Sequence, residues 1–296
     1  MKNPLFYRIS QLTAFLLGAR IFVAMLLTFA LYVSTFFLFN EEESLREFVF
    51  DFKVHGIIFC TVLSILAGGI INQFYDREKD QLTKPFRSKL QRFLKQKYFL
   101  YAYLTLFLLS LSISLLISGR VFIFFLVYQF FMWFYSHKLS KLLIINNLCF
   151  VSLTLYPFFG MMVYYKTFSG QLFVMAVFLF LVLLIIDLIK DILTRNADKM
   201  FGYVTIPNYF GTRAARNIAV CLAIFAMGSA AVIVAFADDQ RILHHYFTTG
   251  LFVLVFIIYL LLNKIKKNNF IALNILRIWV FIGIIAMLLD GIMYRM

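Results

Sequence analysis

The chain has 296 residues, 63% hydrophobic and only 14% charged, with a mean hydropathy of +0.89. A soluble domain is nearer half apolar and a quarter charged, so this composition excludes one and indicates a polytopic membrane protein. The formal net charge of +14 is concentrated in short loops between apolar runs; that pattern sets membrane orientation and draws anionic lipid and phosphorylated substrates, and it argues against nucleic-acid binding.

Runs of roughly 17–25 apolar residues cross a bilayer. Nine follow one another, at about 14–38, 54–75, 97–118, 120–136, 142–165, 170–190, 215–236, 246–263 and 271–292. The first span contains Arg20. Only Ser118, Gly119 and Arg120 separate the third from the fourth. Cys60, Cys149 and Cys221 all fall within apolar runs and lack Cys-x-x-Cys spacing, so they read as packing thiols. With no Pro- or Ser-rich linker, residues 1–296 read as one membrane domain. Most of the 28 Lys and Arg lie in alternate loops. The positive-inside rule then predicts a multi-pass protein of the cell (inner) membrane with its N-terminus in the cytoplasm.

Six of the acids break the apolar pattern in two places on the predicted inner side. The first group is Asn72-x-x-x-Asp76-x-x-x-Asp80, with Glu78 inside it; the second is Asp187, Asp191 and Asp198. On a helix, residues at i, i+4 and i+8 share one face. Stacked oxygen ligands of this kind suit Mg²⁺, which bridges carboxylates to substrate phosphate. A single acid beside a base is commonly just a surface ion pair. Two clusters on one side, each at a span end, point instead to function. Acids of a transporter belong near the bilayer midplane on broken helices, and these lie at span ends. Lys84 and Arg87, Lys138 and Lys141, and Lys190, Arg195 and Lys199 flank the acids as candidate diphosphate contacts. Arg20, Tyr135 and Asp187 are candidate contacts to an acceptor.

Two stretches resemble motifs of the UbiA superfamily of intramembrane prenyltransferases. Asn72-Gln-Phe-Tyr-Asp76-Arg-Glu-Lys-Asp80, followed by Lys84-Pro85-Phe86-Arg87, is similar to that family's first motif. Lys190-Asp191-Ile-Leu-Thr194-Arg-Asn-Ala-Asp198, running on to Gly202, Thr205 and Pro207, is similar to its second. Tyr135-Ser136 with Lys138 and Lys141, ahead of Asn146-Asn147, resembles a third segment. The resemblance implies an all-α fold of about nine transmembrane helices around a central cavity capped on the cytoplasmic side. It also implies two Mg²⁺ ions on a prenyl diphosphate, one held by Asn72, Asp76 and Asp80 and the other by Asp191 and Asp198, with catalysis resting on Asp76, Asp80, Asp191 and Asp198. Two positions depart from the family pattern: Thr194 stands where the second motif has its middle acid, and Gln73 where the first often has one.

The chemistry so implied is Mg-dependent transfer of a prenyl group from a polyprenyl diphosphate to a lipophilic or aromatic acceptor, releasing pyrophosphate. Ionising an allylic C–O bond leaves negative charge on the diphosphate, for cations to stabilise, and positive charge on carbon, for an apolar aromatic cavity to shelter. A membrane terpene cyclase using the same ionisation is the alternative. The acceptor stays open among quinone precursors, glycerophosphates, haem-like rings and phenols.

Overall fold

A computed structural model describes residues 4–40, 44–91, 95–236, 240–263 and 265–295. The regular structure among them is helical. In order it comprises α1 (Pro4–Gly18), α2 (Ile21–Ser34) with a π-helical extension over Thr35–Phe39, α3 (Leu45–Phe50), α4 (Phe52–Tyr75), α5 (Arg77–Thr83), α6 (Pro85–Gln91), α7 (Gln96–Ile117) and α8 (Gly119–His137). After a 3-10 turn at Leu139–Lys141 come α9 (Ile145–Tyr165), α10 (Gly170–Met200), α11 (Ile206–Tyr209), α12 (Gly211–Phe236), α13 (Ile242–Leu262) and α14 (Lys266–Arg295). Among the described residues nine helices are long and apolar enough to cross a membrane, the first being Ile21–Phe39. The chain forms two compact units, Met1–Tyr32 with Glu42–Ser140, and Val33–Glu41 with Lys141–Met296.

In the first unit α4 is the most enclosed span. Gly56, Cys60, Ser64 and Gly68 recur every fourth residue along it and make one stripe of small side chains. Such stripes let helix backbones approach in a membrane, where dispersion and short polar bonds replace the hydrophobic effect. The Ser64 and Ser110 hydroxyls meet at 3.1 Å, and Ser110 also donates to the Cys60 carbonyl at 3.1 Å, joining α4 to α7. Ser118, with extended backbone, ends α7 and caps α8 by accepting from the Val121 N–H. The seam read from Ser118, Gly119 and Arg120 is thus observed, narrowed to Ser118, with α8 already begun at Gly119. Ahead of α4, Ser44 and Glu47 cap α3 reciprocally, and the bonds from the Ser44 N–H and hydroxyl hold the Glu47 carboxyl below its ordinary pKa.

The first span differs from the sequence expectation. It does not run unbroken over 14–38: α1 stops at Gly18, Arg20 takes a left-handed backbone (φ 55°), and α2 starts at Ile21. The reason is tertiary. A Cβ on Gly69 of α4 would lie 2.8 Å from the Ala19 carbonyl oxygen, so the bend is pressed onto the α4 backbone at a position without a side chain. Arg20 thus occupies the joint between two helices rather than the interior of one.

In the second unit α10, α12, α13 and α14 share an apolar core. Ala215, Ala219, Ala223, Ala226 and Ala230 line one fully buried face of α12, which brings its backbone close to its neighbours. Asp290 of α14, fully buried, accepts from Arg241 Nε at 3.1 Å, from a second Arg241 nitrogen at 2.7 Å and from the Leu243 N–H at 3.2 Å. This ties the start of α13 to the far end of α14. At ~1.5 Å per residue the 31 residues of α10 are ~46 Å long, more than the ~30 Å of hydrocarbon. The excess is about three turns, a length that on the C-terminal side of α10 holds Asp191 and Asp198.

Candidate functional site

The first group belongs to the first unit. Asp76 sits at the junction of α4 and α5 with φ −87° and ψ 6°, and three backbone bonds at the fourth-residue spacing carry the chain through it: Asp76 to Asn72 at 2.9 Å, Asp80 to Asp76 at 2.8 Å and Lys84 to Asp80 at 2.8 Å. The spacing of four therefore stacks these side chains as the sequence predicted. Asn72 Nδ2 donates to Asp76 Oδ2 at 2.8 Å, which leaves the Asn72 amide oxygen on the other side of the group. Asp80 is buried, and its Oδ1 accepts from Lys84 Nζ at 2.8 Å. Its Oδ2 is buried with no hydrogen-bond partner among the described residues. Glu78 points to solvent. The Arg87 backbone lies in α6, and its side chain is outside the described residues.

The second group belongs to the second unit and is more enclosed. Asp187, Asp191 and Asp198 are each at most 4% exposed. Asp187 Oδ1 is paired with Lys190 Nζ at 2.6 Å. Asn147 Nδ2, from the first turn of α9, donates both to Asp187 Oδ2 at 2.7 Å and to Asp191 Oδ2 at 2.9 Å; Asn146 Nδ2 reaches Asp191 Oδ2 at 3.4 Å. The Ile144 backbone just before them has a positive φ (65°, with ψ −44°), an uncommon state for a β-branched residue, and it sets the direction in which α9 begins. The helix persists to Asp198 as the spacing required. Thr194 Oγ1 donates to Asp198 Oδ2 at 2.7 Å, so the residue standing in for an acid hydrogen-bonds the next acid along. Lys141 lies 5.5 Å from the centre of the Tyr203 ring, and its carbonyl accepts from the Val204 N–H. Lys138 and Lys199 are exposed; Arg195 and Tyr135 are half-buried.

Within each unit the predicted residues are thus partly assembled: Asn72, Asp76, Asp80 and Lys84 in one, Asp187, Lys190 and Asp191 in the other, with Asp198 two turns further along α10 beside Thr194. Among the described residues no three of His, Cys, Asp or Glu converge on one point. Asn146 and Asn147 carry more of the geometry than the sequence reading assigned them, where they served only as a landmark. The available signal was two adjacent amides opening an apolar span, a costly placement unless both are bonded. Carboxylate and amide oxygens form a hard donor set, and the unpaired buried Asp80 oxygen is one a cation would satisfy, so these residues fit Mg²⁺.

A profile of the UbiA prenyltransferase family matches residues 44–283. The digeranylgeranylglyceryl phosphate synthase of Thermococcus gammatolerans is 28% identical over 247 residues, which cover 81% of this chain and 87% of that protein. The enzyme of the same name from Methanosphaera stadtmanae is 32% identical over 164 residues, 55% of this chain and 60% of its own length. A solved structure of a digeranylgeranylglyceryl phosphate synthase superposes with a TM-score of 0.71 at 19% identity, covering 96% of this chain and 99% of that one. A UbiA homologue from Archaeoglobus fulgidus bound to GPP and Mg²⁺ superposes with a TM-score of 0.65 at 14% identity, covering 93% and 99%. The structural likenesses bear on the fold, which is that of multi-pass UbiA membrane proteins.

Proposed function

This chain belongs to the UbiA prenyltransferase family, and on that premise we propose that it transfers a prenyl group from a prenyl diphosphate to the free hydroxyl of a prenylated glyceryl phosphate. The observation that carries the acceptor is the relationship, over most of both chains, to a digeranylgeranylglyceryl phosphate synthase. A product so named bears two geranylgeranyl groups on one glyceryl phosphate, so a synthase adds the second to a carrier of the first. The bond broken joins the allylic carbon to the diphosphate, the bond formed joins that carbon to the acceptor oxygen, and pyrophosphate and the hydroxyl proton leave.

In this reading residues 1–296 act as one domain. Asn72, Asp76 and Asp80 would hold one Mg²⁺, and Asp191 and Asp198 a second. Bound Mg²⁺ supplies neutralisation of the charge that grows on the leaving pyrophosphate. Lys84, Arg87, Lys138, Lys141, Lys190, Arg195 and Lys199 add fixed positive charge around the diphosphate. Lys190 also balances the buried Asp187, so that the α10 acids are not left mutually repelling. The apolar walls of the spans exclude water from the allylic cation. The loop charges favour an N-terminus in the cytoplasm and both acidic groups on that face.

The test is incubation of detergent-purified protein with Mg²⁺, geranylgeranyl diphosphate and geranylgeranylglyceryl phosphate, with lipid extraction and mass spectrometry. The expected product is the acceptor plus one geranylgeranyl unit, formed in step with pyrophosphate release. Prenylation of a phenolic acceptor alone would replace the acceptor assignment, and a cyclic product from the diphosphate by itself would identify a cyclase.

A further inference from the structure

Arg20 is the one charged residue at the bend between α1 and α2, and no ion pair or hydrogen bond of its guanidinium occurs among the described residues. Its Nε is buried and unpaired. The setting is constructed rather than accidental. The backbone is held left-handed at φ 55°, which an arginine adopts only under constraint, and the bend is seated on the bare backbone of Gly69, whose added Cβ would lie 3.5 Å from the Arg20 Cβ. A half-buried cation without a partner at the start of a candidate membrane span is costly, and such residues mark ligand paths.

A second unpaired group lies alongside. Gln73 is 7% exposed, and its Oε1 is buried without a hydrogen-bond donor. This oxygen would be 2.6 Å from a Cβ on Gly18, so the Gln73 amide is packed against the end of α1 just before the bend. Gly69, Asn72, Gln73 and Asp76 stand at i, i+3, i+4 and i+7, which is one face of α4. At ~1.5 Å per residue the bend at Gly69 is ~10 Å from Asp76 along that face. The first unit thus presents, in order along one helix face, an unpaired cation, an unpaired amide oxygen and the first acidic group.

We infer that Arg20 and Gln73 form the binding subsite for the anionic head of the acceptor, the guanidinium taking its phosphate and the Gln73 Oε1 accepting from its hydroxyl. This rests on the acceptor class proposed above. The pairing accounts for two features that the diphosphate chemistry leaves unused: a planar donor suited to phosphate, and an acceptor oxygen needing an O–H. It also gives a reason for glutamine at a position where the family often has an acid. A carboxylate at residue 73 would repel a phosphate bound at Arg20, and a neutral amide does not.

The experiment compares two acceptors, geranylgeranylglyceryl phosphate and the same prenylglycerol without phosphate, using full-length protein as wild type, Arg20→Leu, Arg20→Lys and Gln73→Glu. Arg20→Leu is expected to raise KM for the phosphorylated acceptor at least ~10-fold, the loss of one charge-assisted contact, while leaving KM for geranylgeranyl diphosphate and kcat/KM for the phosphate-free alcohol within about twofold of wild type. Arg20→Lys should fall between the two, because it keeps the charge and loses the fork. Gln73→Glu should raise KM for the phosphorylated acceptor more than for the alcohol. If Arg20→Leu does not fold, Arg20→Lys and Gln73→Glu carry the comparison. An unchanged acceptor KM, equal losses on both acceptors, or a rise confined to the diphosphate KM each overturns the subsite. Absence of product from wild type with either acceptor would instead remove the acceptor class, a distinguishable failure.

Discussion

Replacing Thr194 with aspartate tests whether the end of α10 faces a cation. In the native chain the Thr194 hydroxyl donates to Asp198 Oδ2 at 2.7 Å, and Asp198 is fully buried. Thr194→Asp exchanges that donor for a second carboxylate. A charge-assisted bond of about 1.5–3 kcal/mol is lost. Two unit charges ~4 Å apart at an effective dielectric constant of 20 then repel by ~4 kcal/mol. The sum is about 5–7 kcal/mol in the absence of metal. At ~2–4 °C per kcal/mol for a chain of this order, the melting temperature in EDTA should fall by on the order of 10 °C or more. Added Mg²⁺ should recover most of the loss, since a divalent ion converts the repelling pair into a ligand pair. The assay is thermal unfolding in detergent, followed through the intrinsic fluorescence of Trp133 and Trp279, with EDTA or Mg²⁺ in parallel. A deficit of the same size in both buffers refutes the reasoning, because residue 194 and Asp198 would then share no cation.

Asp76→Ala should cut product formation by at least ~10³-fold, measured by mass spectrometry, with a melting temperature in EDTA within a few degrees of wild type, because Asp76 is only half-buried. Asn147→Leu removes the one amide nitrogen that bridges Asp187 and Asp191; the Mg²⁺ concentration for half-maximal activity should rise ~10–100-fold, and an unchanged Mg²⁺ titration would show that the amide only packs. Gly69→Val drives a side chain into the Ala19 carbonyl and should cost about 1–3 kcal/mol or more, read as a lowered melting temperature with Mg²⁺ present or absent. Asp290→Ala breaks the buried Arg241 pair, which shares no residue with either acidic group. It should cost ~2–3 kcal/mol, at the low end for such pairs because Arg241 is 40% exposed and turns to water, and should leave the Mg²⁺ titration where it was.

Much of this protein follows from its sequence because the bilayer leaves few choices. Apolar length sets the number of spans, since lipid cannot satisfy backbone polar groups outside a helix. The seam at Ser118 and the persistence of α10 through Asp198 are local matters of capping and spacing, and both were legible. The i, i+4 stacking of Asn72, Asp76 and Asp80 was legible for the same reason, because helix geometry alone fixes it. The break at Arg20 was not, because the residues from 14 to 38 are apolar enough to continue as one helix; the bend is decided by the carbonyl of Ala19 meeting the bare backbone of Gly69, half a hundred residues away in sequence. Asn147 likewise looks like any amide at a helix start until α9 lies beside α10 and its single nitrogen falls between two carboxylates. Periodicity and charge are properties of a segment and can be read along the chain. Which bare backbone a bend leans on, and which amide a buried acid finds, depend on distances between segments, and those exist only once the helices have packed.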